Sequence, residues 1–266
     1  MRFSQTISSA GKCLLPQRDA LRQKMRWFAA VMTAGITSSA PAAAGPPYFS
    51  DDPVPTDTQH FEIYTFANGT VADAGSSGEA GIDFNYGAAP DLQLTGVLPL
   101  DYAQPHVGPG AVDLGNIEIA AKYRFLHQED AGFDVAVFPR VFLPVGSGQV
   151  GKRHASFLLP LWFGKDWGHW STFGGGGCVL NRGDGSRDFC IAGWALTNQV
   201  TPKLQIGAEI FRQTPDTNDG RAITGIGAGV RYDLTDNYHL LGYIAPGVQN
   251  AAESRYTWYT SVLFTF

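Results

Sequence analysis

Charge is scarce in this sequence. Only 16% of its 266 residues are Asp, Glu, Lys or Arg, against about 25% in an ordinary soluble domain. No stretch reaches the roughly 18 consecutive apolar residues that a membrane-spanning helix requires. The net charge is −5 and no basic stripe interrupts it, which excludes a nucleic-acid surface. Cysteine is confined to Cys13, Cys178 and Cys190. No histidine pair stands at the spacing that would complete a zinc site with them, so no metal or cofactor is expected. Helical periodicity is nearly absent. What the chain has instead is glycine, aromatics and an alternation of apolar and polar residues with period two.

The alternation is plainest at the C-terminus, "YTWYTSVLFTF". Tyr256, Trp258, Thr260, Val262, Phe264 and Phe266 fall on one face and are nearly all apolar. Arg255, Thr257, Tyr259, Ser261, Leu263 and Thr265 fall on the other, mostly polar, face. Period two is a strand. A terminal strand with one apolar face and aromatics at both ends needs an apolar medium to face. C-terminal strands that close on Phe resemble the signal read by the bacterial barrel-assembly machinery, which makes Phe266 the expected assembly residue.

The N-terminus reads as an export signal. "MRWFAAVMTAGITSSAPAAAG", from Met25, has a charged start, a short apolar run and a small-residue cleavage site at Ala42–Ala44. Residues 1–24 ahead of it read as a start codon placed too far upstream, or as an unusually long n-region. The expected organisation is therefore 1–44 signal peptide with a spurious extension, 45–59 irregular periplasmic lead-in, and 60–266 barrel. The lead-in, "GPPYFSDDPVPTDTQ", carries four prolines and no strand pattern. Its Asp51-Asp52 pair reads as a solvated Asp-Asp-Pro turn in preference to a cation site. Export puts Cys178 and Cys190 in an oxidising compartment. They flank "VLNRGDGSRDF", and a disulfide between them, preferred over two unpaired thiols on neighbouring strands, closes a loop worth about 3 kcal/mol.

Strand patterns follow one another through the mature chain. In "EAGIDFNYG", Ala80, Ile82, Phe84 and Tyr86 oppose Glu79, Gly81, Asp83 and Asn85. "DLQLTGVLPL" and "LGNIEIAAKYRFL" repeat the arrangement. Further segments lie near 60–68, 133–145, 156–165, 169–179, 189–199, 203–212, 222–233, 238–247 and 255–266, giving about twelve strands. Their connections alternate between short ("GAAPD", "HQEDAG", "DWGH", "TPK", "TDN") and mostly longer ("GTVADAGSSG", "DYAQPHVGPGAVD", "GSGQVGKRHAS", "NRGDGSRD", "QTPDTNDG", "QNAAES"). Bacterial outer-membrane barrels show that alternation, with tight periplasmic turns and long extracellular loops. Backbone groups in a bilayer must pair within the protein, so only a closed sheet suffices. The expected fold is all-β, a transmembrane up-and-down antiparallel barrel of about 12 strands, with the lipid bilayer as partner and the bacterial outer membrane as location. Tyr86, Tyr123, Phe125, Trp162, Trp167, Trp170, Trp194, Tyr232, Tyr256, Trp258 and Phe266 then supply the interfacial girdles. The alternative is a soluble barrel or sandwich with the apolar faces turned inward; against it stand the exterior it would then show and the interior left over, with Glu118, Lys122, Arg124, Arg140, Glu209 and Arg231 sharing the polar side.

Three stretches carry a resemblance. "GPPYFSDDPVPTDTQHFEIY" (Gly45–Tyr64), "IDFNYGAAPDLQL" (Ile82–Leu94) and "LGNIEIAAKYRFL" (Leu114–Leu126) are similar to blocks of the MetA-pathway phenol-degradation family. The resemblance implies an outer-membrane, transporter-like barrel associated with aromatic-compound pathways. It brings no catalytic or binding residues with it and does not establish a phenol substrate.

The candidate pore lining is read from the polar faces. Glu118, Lys122 and Arg124 on one strand can meet Asp134 and Arg140 on the next, with Glu209, Arg231 and Arg255 extending the set from the far wall. Such a ladder forms a constriction that selects permeants, or pairs with itself to fill a narrow lumen. Catalysis is not expected: none of the six histidines stands in a nucleophile context, and His169 and Ser171, two apart, sit beside a short turn. "GGGG" (174–177) and "GIGAG" (225–229) lack the ending of a phosphate loop and read as room for inward-facing bulk or curvature. The functional expectation is passage of a small, hydrophobic or aromatic permeant. The alternative is a filled barrel with a structural or surface-binding role.

Overall fold

A computed structural model describes residues 47–148, 150 and 154–266. The expected signal peptide and its extension lie outside the described residues. Within them the period-two segments are strands. These are β1 (Phe61–Ala72), β2 (Gly75–Ala89), β3 (Leu92–Pro105), β4 (Ala111–Leu114), β5 (Asn116–Leu126), β6 (Asp134–Val137), β7 (Arg140–Pro144), β8 (Ser156–Trp167), β9 (Trp170–Leu180), β10 (Phe189–Thr201), β11 (Leu204–Gln213), β12 (Ile223–Asp233), β13 (Tyr238–Gln249) and β14 (Tyr256–Thr265). A four-residue helix, α1 (Gln128–Ala131), sits between β5 and β6 and ends on Gly132 in the left-handed region.

All pairings between these strands are antiparallel. β4 and β5 both pair with β3, and β6 and β7 both lie between β5 and β8. Each of these couples is one wall with a break, at Gly115 and at Phe138-Pro139. Proline has no N–H to give a ladder, so the second break needs no other cause. β1 pairs with β14 as well as with β2, and the sheet closes. Fourteen strand segments thus make a closed antiparallel barrel of twelve walls.

The two faces of the wall differ as the alternation predicts. Ile82, Leu98, Ile119, Leu159, Ile210 and Ile244 point outward on strands all around the barrel, each more than half exposed. An apolar surface of that extent is insoluble in water and is satisfied by hydrocarbon. Asn85, Gln93, Thr95, Glu118, Lys122 and Glu209 point inward and are buried. Just past β14, Phe266 is exposed, and its ring stacks on Phe61 at 5.3 Å between centroids, which in turn stacks on Tyr86 at 4.7 Å. Backbone bonds join Phe61 and Phe266 in both directions. The chain's last residue is therefore built into the short-turn rim.

Four details differ from the sequence reading. Trp162 is an inward residue, 2% exposed, packed with Ala120 and Phe138 instead of standing in a girdle. The interior is less polar than alternation suggests, because Tyr64, Leu241 and Leu263 form another inward apolar cluster. The first connection on the long-loop rim is a two-residue turn: β1 and β2 keep pairing up to Ala72 and Gly75, since a ladder needs no apolar side chains to continue. The lead-in, expected as periplasmic chain with a solvated Asp-Asp turn, runs inside the barrel. Cys178 and Cys190 face each other across β9 and β10 and are bonded, with Cα atoms 3.9 Å apart.

Candidate functional site

The lead-in crosses the lumen as a strap and meets the wall at three places. On β11, the Glu209 carboxylate accepts hydrogen bonds from the backbone N–H groups of Phe49 (2.9 Å) and Ser50 (2.6 Å), and from the Tyr243 hydroxyl (2.6 Å). Bonds to an ionised acceptor are the strong ones. On the other side, Asp51 bridges Lys122 Nζ at 2.9 Å and Arg140 Nη2 at 2.6 Å. Nearer the short-turn rim, Gln93 Oε1 accepts from the Thr56 N–H at 2.8 Å, and Gln93 Nε2 donates to Asn85 at 2.7 Å. From there the chain reaches the rim, where the Gln59 N–H donates to the Gly87 carbonyl at 2.7 Å.

Aromatic packing seats the strap between these bonds. Phe49 stacks on Phe211 at 4.4 Å, and Tyr48 meets Phe173 and Tyr243 edge-on at 5.6 and 5.7 Å. Each such pair contributes about 0.5–1.5 kcal/mol beyond its buried area. The wall is recessed to receive them. Gly207 and Gly229 are register partners on β11 and β12, and a Cβ on either would collide with the Tyr48 ring. A Cβ on Gly193 would strike Ser50 Oγ, and the "GIGAG" glycines Gly225 and Gly227 leave room for Phe211 and Tyr243.

Electrostatics tie the strap to the charge ladder. Arg140 also reaches Glu118 at 3.5 Å, and both Lys122 and Arg140 lie over the Phe138 ring, at 5.0 and 4.1 Å. Removing Asp51 would leave the buried Lys122 without its counter-charge and Arg140 with Glu118 at 3.5 Å, a loss of about 3–5 kcal/mol by the measure of broken buried pairs. Burial pushes the neighbouring Asp52 carboxyl up to about 8, against the downward pull of Lys122. At the β2–β3 turn, burial acts to raise Asp91, but bonds from His127 and Arg124 outweigh it and hold the group below its ordinary value.

The eight candidate lining residues are distributed unequally. Glu118, Lys122 and Arg140 meet around Asp51. Arg124 and Asp134 pair with each other at 3.4 Å towards the short-turn rim, where Arg124 also holds Asp91 at 2.8 Å. Glu209 faces inward but anchors backbone instead of joining an ion ladder. Arg231 bonds Asp233 at 3.0 Å, and that carboxylate also meets His239 Nδ1 at 2.6 Å. Arg255 is the exception: it stands exposed on the long-loop rim, paired with Asp73 of the β1–β2 turn. His169 is exposed at its turn while Ser171 is buried, so burial separates the one nucleophile-like pair of the sequence. Among the described residues no three His, Cys, Asp or Glu side chains converge as a metal site requires.

Strap residues line two spaces in the lumen. Beside it lies a cavity of about 180 Å³ whose wall includes Asp51, Asp52, Glu118, Lys122, Arg140 and Arg231. Towards the long-loop rim opens a vestibule of about 480 Å³, whose wall mixes apolar residues such as Phe142, Leu158 and Ile191 with the polar Glu79, Asp101, Asn116, Ser156 and Gln213, and which Phe49 of the strap also lines. Sequence reasoning missed the strap because prolines erase its period. The glycines that face one another in register on β11 and β12 are the one readable sign that something from elsewhere fills the wall there.

Comparison with known proteins gives three results. The family model described as "Putative MetA-pathway of phenol degradation" matches residues 57–262. No curated protein matches the sequence. Among solved structures, the fold is similar to the COG4313 outer membrane channel from Pseudomonas putida F1, at 12% identity and a TM-score of 0.66 over 84% of this chain and 100% of that one. The KdgM porin is similar at 13% identity and 0.54, over 77% and 99%. The beta domain of the Bordetella autotransporter BrkA is similar at 14% and 0.50, over 79% and 100%.

Proposed function

The chain belongs to the MetA-pathway phenol-degradation family and is a barrel of the bacterial outer membrane, and from that premise we propose that it is a channel for small apolar or aromatic molecules, closed at rest by its own N-terminal strap. The vestibule carries the proposal. It is a space of ligand size, with apolar side chains on part of its wall, that opens to the long-loop side and meets an aromatic side chain of the strap. The names of the COG4313 channel and the KdgM porin support a conducting role for this architecture. In the same reading Gly45 begins the mature chain, Phe266 is the residue presented to the barrel-assembly machinery, and the protein performs no catalysis.

A second reading has one observation in its favour. Tyr48–Thr56 runs through the lumen with Ser50, Asp52 and Thr56 buried, as it would in a filled barrel whose loops do the work. Planar-bilayer recording of the native protein beside a variant lacking residues 48–56 separates the two. The channel reading expects small currents from the native protein, several-fold larger steady currents from the deletion, and interruption of the latter by benzyl alcohol. Silence from both proteins would leave the filled barrel standing.

A further inference from the structure

Arg212 of β11 stands on the outside of the wall. Its neighbours along the strand fix that direction: Phe211 stacks on Phe49 of the strap and Gln213 lines the vestibule, so both point inward and the residue between them points out. Arg212 is accordingly exposed. Its register partner on β12 is Thr224, whose own partner on β13 is Gln249. Arg212 Nη1 donates to Thr224 Oγ1 at 3.0 Å and to Gln249 Oε1 at 2.5 Å, and the Thr224 hydroxyl donates to Gln249 Oε1 at 2.9 Å. Three neighbouring strands therefore hold one guanidinium against the outer face of the barrel.

The trio lies where the outer wall stops being apolar. Below it Ile210 and Ile226, register partners and each about half exposed, face hydrocarbon. Arg212 is eight residues along β11 from Leu204 at the short turn. At roughly 3.4 Å per residue and the usual barrel tilt that is about 20 Å of height, close to the outer edge of an apolar band about 25 Å tall. A lipid-facing arginine is costly at the middle of the bilayer, and the cost falls away towards the interface. With the long loops on the outer side, the guanidinium stands at the level of the outer-leaflet headgroups.

The charge of Arg212 is not neutralised within the barrel. Its two bonds go to neutral oxygens, and none of the ion pairs among the described residues includes it. Every Asp and Glu from residue 47 onward is among those residues. Both bonds use Nη1, so the edge of the fork carrying Nε and Nη2 takes no bond among the described residues. That edge can hold a phosphate by two parallel hydrogen bonds. On its β10 side the register partner is Ala192, with Gly176 of β9 beyond it, residues too small to cover the guanidinium. We infer that Arg212, steadied by Thr224 and Gln249, is a binding site for the phosphate of an outer-leaflet lipid, a phosphorylated glycolipid whose acyl chains lie against the apolar wall below. The inference needs the barrel and its membrane alone, and it stands whether the lumen conducts or is filled.

Lys165 of β8 supplies the comparison. A Cβ on the preceding Gly164 would meet Pro53 of the strap, so Gly164 faces in and Lys165 faces out, but at the short-turn end of the wall. Diphosphoryl lipid A is added to the purified barrel in dodecyl maltoside, and bound lipid is counted by native mass spectrometry. Arg212→Gln should weaken retention by about tenfold, the scale of hydrogen bonds between charged partners. Arg212→Lys, which keeps the charge without the planar fork, should fall between the two, and Lys165→Gln should match the native protein. Lipid A stripped of its phosphates should bind native and Arg212→Gln proteins equally, and millimolar inorganic phosphate should leave the phosphorylated lipid in place. Equal retention of diphosphoryl lipid A by the native and Arg212→Gln proteins would overturn the site. So would an equal loss in Lys165→Gln, or a loss in Arg212→Gln that persists with the stripped lipid. Displacement by inorganic phosphate would overturn the lipid assignment in favour of a free anion.

Discussion

Asp51 and Asp52 are neighbours with opposite circumstances. Asp51 holds two cations, while Asp52 is 3% exposed and keeps a backbone bond from Val54 at 2.7 Å as its local support. Lys122, Asp51 and Glu62 are the charged groups whose fields act on it. With its pKa at about 8 in the seated strap, and about 3.9 when free in water, Asp52 carries a proton in the seated state that the released strap gives up between those values. Seating is thus fully favoured below about pH 4, weakens as pH rises towards 8, and changes no further above it. Open probability in bilayers should accordingly be higher at pH 8 than at pH 5, and Asp52→Asn should flatten the dependence. An equal slope in that variant would show that another group governs the titration.

At the scale of elements, the strands were legible and the strap was not, for one physical reason. A strand between lipid and lumen must alternate, and the alternation can be read locally, as in Ile82, Phe84 and Tyr86 against Asp83 and Asn85. The strap's partners, Glu209, Lys122 and Arg140, are between about 70 and 160 residues away, and no local pattern announces contacts of that range. Glu118, Lys122 and Arg140 were recognisable as inward charges, but the residue that gathers them was not. Trp162 shows the limit within strands, since an inward aromatic and a girdle aromatic look alike until the register is known. The disulfide was readable from spacing and export together. Replacing both cysteines by serine should lower the unfolding free energy by about 3 kcal/mol, measured as a shift in urea midpoint with the barrel otherwise intact. An unchanged midpoint would mean that Asn181, bonded to Asp188 at 2.7 Å and to the Asp216 carbonyl at 3.1 Å, already orders the loop.

At the largest scale, the described residues form a closed wall wetted by hydrocarbon outside and spanned inside by the strap that precedes β1. Wall and strap are complementary through glycine recesses, one carboxylate on β11 and two cations on β5 and β7. Transport in this account requires the strap to leave those seats while the wall stays as it is. Ser50 and Gly193 allow that to be tested directly, because a side chain built at Gly193 points at Ser50 Oγ. In a Ser50→Cys, Gly193→Cys protein, single-channel current is recorded oxidised and then after dithiothreitol, with the parent protein treated in parallel to account for Cys178–Cys190. The account predicts that the oxidised protein is closed and that reduction restores native current; equal current in the two states would contradict it.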